Sequence, residues 1–190
     1  MLKPLLASIP FPGERAGGNV FEDLVASIIY QQLSVKAADT IFGRFCQLFP
    51  SGKPEAGLLP ELPLEALRGV GLSQQKAGYV KNVAVFFTEN RLLQTDWTTI
   101  SDEEILQTLT RIKGVGRWTA EMLLMFSLNR PDVFPADDLG IQQGIKRLYG
   151  LQEAGKALRP AMEKIAEPWR PYRSYACYYL WRWKDGKTIL

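Results

Sequence analysis

Histidine is absent from all 190 residues of the chain. That absence removes the commonest general base, the Ser-His-Asp triad and every histidine-ligated metal site. Cysteine is scarce: Cys46 and Cys177 are the only two, too few for a four-thiolate zinc site or an iron–sulfur cluster. The pair allows one disulfide, but two buried thiols are the expectation in this composition. No apolar run approaches the roughly 20 residues a membrane-spanning helix needs, so no membrane partner is expected. The opening Met1-Leu2-Lys3-Pro4-Leu5-Leu6, with prolines at 4, 10 and 12, makes a poor secretory signal. A soluble intracellular protein is therefore expected, and any catalysis must rest on carboxylates, amides, hydroxyls, lysine or arginine.

What is present is ordinary in bulk and uneven in detail. Hydrophobic residues make up 46% and charged residues 23% of the chain, the balance of a globular protein rather than a disordered tail or a coiled coil. The net charge of +3 is unevenly spread: residues 1–110 carry −3 and residues 111–190 carry +6. A basic second half points mildly to a polyanionic partner. The apolar spacing is helical. Phe21, Leu24, Val25, Ile28 and Ile29, then Leu33, Ala37, Ile41 and Phe45 recur on one face. Pro63 starts a short helix that ends at Gly69-Val70-Gly71, and Ser73 is the expected N-cap of the next, through Lys76, Tyr79, Val80, Val83 and Phe87. Ser101 and Glu104 form a capping box before Ile105, Leu106, Leu109 and Ile112. With no alternating strand longer than four residues and no repeat, the class is all-α.

Residues 109–120 read Leu-Thr-Arg-Ile-Lys-Gly-Val-Gly-Arg-Trp-Thr-Ala. They spell helix, a four-residue hairpin Lys113-Gly114-Val115-Gly116, and a second helix. The two glycines are expected to adopt backbone conformations a side chain would forbid and to let a phosphate approach closely. The following helix would aim its free N–H groups and its dipole at that phosphate. Ile112 and Val115 are expected to pack the two helices together. Lys113, Gly114, Val115, Gly116, Arg117 and Thr119 are the candidate DNA-binding residues. Beyond the hairpin, Asp137-Asp138 precede a helix containing Ile141, Ile145 and Leu148; two acids at a helix start are otherwise explained as one N-cap and one dipole complement.

Four stretches resemble the helix-hairpin-helix DNA glycosylases of base excision repair, and within them the bacterial 3-methyladenine DNA glycosylase II group. They are Ile28-Ile29-Tyr30-Gln31-Gln32-Leu33-Ser34, Gly71-Leu72-Ser73-Gln74-Gln75-Lys76-Ala77, the hairpin, and Phe134-Pro135-Ala136-Asp137-Asp138. Pro168-Trp169-Arg170-Pro171-Tyr172-Arg173-Ser174-Tyr175-Ala176, continuing to Leu180-Trp181, also fits the group. Larger members carry an extra N-terminal domain, for which this chain leaves no room. The resemblance implies a single glycosylase domain over residues 1–190, built as two helical lobes with a catalytic cleft between them. One lobe spans about 21–128, including the hairpin; the other combines 1–20 with 129–190.

The resemblance further implies that Asp138 is the catalytic carboxylate, leaving Asp137 as the cap. Such a carboxylate stabilises the cationic sugar as the base departs and helps to orient the attacking water. Trp118 and Trp181 match base-pocket positions, joined by Tyr30 and by Met122, where an aromatic ring is expected in the group; electron-rich rings attract positively charged alkylated purines. Gln32, or alternatively Leu33, would fill the gap left by the flipped nucleotide. Bifunctional members place a nucleophilic lysine two residues after the second hairpin glycine, and here that position is Trp118, so no Schiff base and no strand cleavage are expected. The implied activity is hydrolysis of the N-glycosidic bond of alkylated purines such as 3-methyladenine and 7-methylguanine. The alternatives are the same fold acting on hypoxanthine, uracil or an oxidised purine, and a non-catalytic DNA-binding module. The expected partner is double-stranded DNA containing a damaged base, met by a monomer in the bacterial cytoplasm near the nucleoid or in a eukaryotic nucleus. No organic cofactor, catalytic metal or iron–sulfur cluster is expected; a monovalent cation held by hairpin carbonyls is implied by the family alone.

Overall fold

The computed structural model describes Ala7, Ile9 and residues 17–184. The opening Met1–Leu6 and the prolines at 10 and 12, read above as a poor signal sequence, lie outside the described residues. The structure is all-helical, with no strand among the described residues, and no helix in it is long and apolar enough to cross a membrane. It divides into two compact units, one of residues 17–123 and one that takes up the chain from Leu124.

Asn19 starts the first unit. Its side chain accepts the N–H groups of Phe21 and Glu22 at 3.0 and 3.1 Å, opening α1, Val20–Tyr30. Ser34 caps α2, Val35–Cys46. The apolar period that runs unbroken in sequence from Val20 to Phe45 is thus shared by two helices, parted at Gln31–Ser34, where Gln32 takes a left-handed φ of 58°. Short α3, Leu64–Gly69, follows Pro63; Ser73 caps α4, Gln74–Glu89; and the capping box of Ser101 and Glu104 opens α5, Asp102–Leu109. α6 is Arg117–Phe126, and the boundary between the units falls within it. α1 packs on α2 and α4, with Phe21 against Phe87 at 5.5 Å between ring centres. Leu24, Ile28, Ile29, Val80, Val83, Ile105 and Leu109 are fully buried, each contributing about 2 kcal/mol relative to exposure. Cys177 is buried as expected, but Cys46 is only half-buried, and neither forms a disulfide. Cys46 closes α2 at its last turn, a position that reaches the unit's edge.

The second unit holds α7, Leu139–Tyr149, ended by Gly150 at φ 68°, then α8, Leu158–Ala166, and α9, Arg173–Lys184. α9 lies along α7 through buried Ile141, Ile145, Cys177 and Leu180. Asp132 ties the start of α9 down, accepting from Arg173 Nε and Arg170 Nη1 at 2.7 Å each. Buried Ser174 links the same places, donating to the Arg130 carbonyl at 2.6 Å and accepting the Val133 N–H at 2.9 Å.

Candidate functional site

The hairpin belongs to the first unit. Its turn is longer than the four residues read from sequence: α5 ends at Leu109, and residues 110–116 lead to α6. Gly114 meets the first expectation, and the close approach it permits is by Tyr79 rather than by a phosphate. Its φ is 106°, and a Cβ there would sit in the ring of Tyr79 on α4. Gly116 does not: its φ is unremarkable and a Cβ would meet nothing within 4 Å. The fold itself does not require a glycine at 116, which is exposed at the start of α6. Asn82 braces the turn, its Nδ2 donating to the Lys113 carbonyl at 3.2 Å.

Ile112 and Val115 are buried between the helices, as their spacing required. Burial takes the side chains of two DNA-binding candidates, Val115 and Thr119, off the surface. The Val115 side chain is inside and its N–H is spent on the Ile112 carbonyl at 3.0 Å, so Val115 packs the turn and offers a phosphate nothing. The Thr119 side chain is also buried, accepting from Gln31 Nε2 at 3.5 Å. Lys113, Gly116 and Arg117 are exposed; Arg117 Nε donates to the buried carboxylate of Glu121 at 2.9 Å. That ion pair, one turn along α6, holds the guanidinium beside the helix start. A buried acid four residues after an arginine was a signal the sequence carried and the reading above overlooked.

The segment after α1 carries Gln32 and Leu33, both exposed. Positive φ at a glutamine is uncommon and costs energy that the surroundings must hold in place. Tyr30, at the end of α1, packs edge-on to Phe42 at 6.1 Å and donates its hydroxyl to Asp39. That hydrogen bond, with a smaller push from burial and from the Asp39 charge, drives the phenol up to about pKa 12. Tyr30 is therefore neutral at physiological pH and supplies a ring rather than an acid or base. Trp118, the second residue of α6, is 40% exposed, and Met122, one turn on, is half-buried.

The carboxylates lie in the second unit, and their roles differ from the expectation. Asp138, not Asp137, caps α7: its Oδ1 accepts the Ile141 N–H at 2.8 Å. Asp137 is exposed and pairs with Arg159 at 3.1 Å. The register decides, because only the residue directly before Leu139 can turn its side chain onto the third N–H of the helix. The same Oδ1 also accepts the Trp181 indole N–H at 2.8 Å. Trp181 stacks on Phe126 at 5.8 Å and 27° between ring planes. Gly140 makes this contact possible, since a Cβ there would lie 2.8 Å from the indole Cδ1 and 3.0 Å from Oδ1. Gly140 is a site residue that sequence reasoning missed; a glycine two places after an acid at a helix start was its only trace. One carboxylate is thus fixed by a helix N-terminus and an indole, and such a group can face developing positive charge without reorganising. Among the described residues no three His, Cys, Asp or Glu side chains gather as a metal centre would need.

Comparison with known proteins gives these features a setting. The chain is 39% identical to a DNA-3-methyladenine glycosylase of the fission yeast Schizosaccharomyces pombe, over 85% of this chain and 71% of that protein. The solved S. pombe 3-methyladenine DNA glycosylase in complex with abasic DNA superposes with a TM-score of 0.83 at 34% identity, covering 99% of this chain and 93% of that one. A crystal structure of a Bacillus halodurans DNA-3-methyladenine glycosidase gives 0.79 at 38% identity, covering 95% and 83%. The family model described as HhH-GPD superfamily base excision DNA repair protein matches residues 25–171, a span that includes the glycine turn and the capped carboxylate alike. The chain is a member of the HhH-GPD superfamily of base excision DNA repair proteins.

Proposed function

We propose that this protein is a monofunctional DNA glycosylase that hydrolyses the N-glycosidic bond of alkylated purines in double-stranded DNA and leaves an abasic site. The observation that carries the proposal is Asp138, held at the start of α7 by the Ile141 N–H and the Trp181 indole. The names of its relatives support the substrate class: these proteins are called 3-methyladenine glycosylases, and one is solved on abasic DNA.

In this reading the open start of α6 at Gly116 receives a DNA phosphate, with Lys113 and Arg117 supplying positive charge. Gln32, with Leu33 beside it, enters the stack where the damaged nucleotide leaves. Tyr30, Trp118 and Met122 in the first unit, and Trp181 in the second, are the side chains assigned to the extruded base, whose positive charge the indole faces attract. That charge already weakens the glycosidic bond, so the main task of Asp138 is to stabilise the cationic sugar, and its second is to orient the attacking water. No organic cofactor or catalytic metal takes part. The hairpin offers a cation only main-chain carbonyls, since residues 109–117 include no acid. Such a neutral donor set suits a singly charged ion, which would stiffen the turn around Ile112, Lys113 and Val115.

The deciding experiment is base release from duplexes that each hold one defined lesion, with borohydride present in a parallel arm. 7-Methylguanine should be released, and the strand should stay intact until hot alkali is added. No enzyme–DNA adduct should be trapped, because Trp118 cannot form an imine. Preferential release of hypoxanthine, uracil or an oxidised purine would replace the substrate class. A trapped adduct that disappears on changing Lys113 would overturn the monofunctional reading.

A further inference from the structure

The stretch from Gly71 to Ala77 has no role in the chemistry above, yet its geometry is specific. Gly71 turns at φ 111°, and a Cβ there would lie 3.0 Å from Ile41 of α2, so the turn sits flush against that helix. Ser73 then caps α4, accepting the Lys76 N–H at 3.2 Å. This places Lys76 in the first turn of α4, where its ammonium donates to the main-chain carbonyls of Ile29 at 2.8 Å and Gln31 at 2.6 Å. α1 has no basic residue in its own last turn, and the cation that favours its C-terminal end is lent by α4.

The shorter of the two Lys76 bonds goes to Gln31, the C-cap of α1, whose carbonyl also belongs to the peptide leading into left-handed Gln32, so one contact serves the helix end and the turn beyond it. The Gln31 side chain is held as well, through Thr119 on α6. The residue before Gln32 is therefore pinned by two helices, while Gln32 and Leu33 stand exposed. Partial burial lowers the Lys76 pKa, because taking the ammonium out of water disfavours its charged form.

We propose that Lys76 is a positioning residue for nucleotide extrusion: its grip on the Gln31 carbonyl presets the left-handed Gln32 to enter the duplex. The role presupposes the reading of Gln32 as the inserted residue and adds to it the device that holds it ready. Ordering the strained peptide before DNA arrives removes an entropy cost from the extrusion step and leaves hydrolysis untouched.

The test compares single-turnover release of 7-methylguanine from a fully paired duplex with release of the same base from a one-nucleotide bulge, where extrusion is largely paid in advance. The proteins are wild type, K76M, K76R, Q32A and the double variant, with melting temperature and affinity for undamaged duplex as controls. K76M should slow the paired substrate about tenfold, the scale of losing charged hydrogen bonds, and the bulged one less than about twofold. K76R should recover most of the loss. In the Q32A background K76M should add almost nothing, since both act on one step. K76Q, which keeps a donor without the charge, carries the same comparison where K76M does not fold. A K76M enzyme equally slow on both substrates, or as fast as wild type on the paired one while Q32A is slow, would overturn the positioning role alone. A Q32A enzyme with wild-type rates on paired DNA would overturn the insertion reading and this role with it.

Discussion

Two helix starts, one in each unit, use the same physical asset in opposite ways. α6 begins after Gly116, where no side chain fills the position, and a helix start of this kind suits an anion from outside. α7 begins after Asp138, and its positive end already holds an anion that belongs to the protein. In the proposed function the first start grips a phosphate, and the second steadies the carboxylate assigned to the substrate. The difference is one side chain at the residue before the helix, and it separates binding from chemistry.

The largest effect should come from discharging the second start. Asn caps a helix as well as Asp does, so Asp138→Asn should fold and melt like wild type while base release falls about 10²- to 10³-fold. Near-normal release by that variant would remove Asp138 from the chemistry. Changing Gly116 to Asp converts the first start into the second. Its DNA affinity should fall about tenfold on every sequence alike, because a resident carboxylate meets the phosphate and base identity is not read there. Its stability should hold or rise by a few tenths of a kcal/mol. An unchanged affinity in a salt titration would show that α6 is not where phosphate binds.

Smaller effects sharpen the contrast. Trp181→Phe keeps a ring against Phe126 but loses the N–H that reaches Oδ1. Release should slow by about five- to tenfold, the scale of one hydrogen bond to a charged group. A third helix start offers the purely structural case. Asp132 lies at the beginning of α9, its Oδ1 3.4 Å from the Arg173 N–H, but its partners are guanidinium groups. Burial pushes its pKa up, yet hydrogen bonds and charge from Arg173, with help from Arg170, outweigh that and hold the carboxyl below its usual range. A depressed carboxylate stabilises the fold above its unfolded value near pH 4, and the contribution is lost as pH falls through the folded value. Asp132→Asn should therefore cost about 1–2 kcal/mol at pH 7 and progressively less in acid, with base release unaffected at equal folded fraction. Thermal melts across pH, with activity in parallel, would check both halves.

Much of this was legible in the sequence because local chemistry decides it. Ser73, Ser101 with Glu104, and the Gly114 turn appear where residue type placed them. The rest depends on register or on distance. Two neighbouring acids have equal claims to a cap until the first helical residue is known, and assigning Asp138 to the chemistry by resemblance leaves Asp137 as the cap, although the register makes one carboxylate do both. The break after Tyr30 leaves the apolar period in phase, so spacing ran through it, and nothing in a glutamine announces a positive φ. Lys76 meets carbonyls more than forty residues back in sequence, a pairing no motif encodes. The side chains of Thr119 and Val115 pack inward, which residue type alone does not show.

The pair of residues that follow Asp138 has a consequence for how the gene can vary. Leu139 is 70% exposed, and the fold places almost no demand on it. At Gly140, one codon on, even a methyl group would collide with the indole and the carboxylate together. Saturation mutagenesis scored for survival under an alkylating agent should therefore show an abrupt edge between adjacent positions, tolerance at 139 giving way to intolerance at 140. Because the barrier at 140 is steric rather than chemical, alanine should be rejected there almost as firmly as tryptophan.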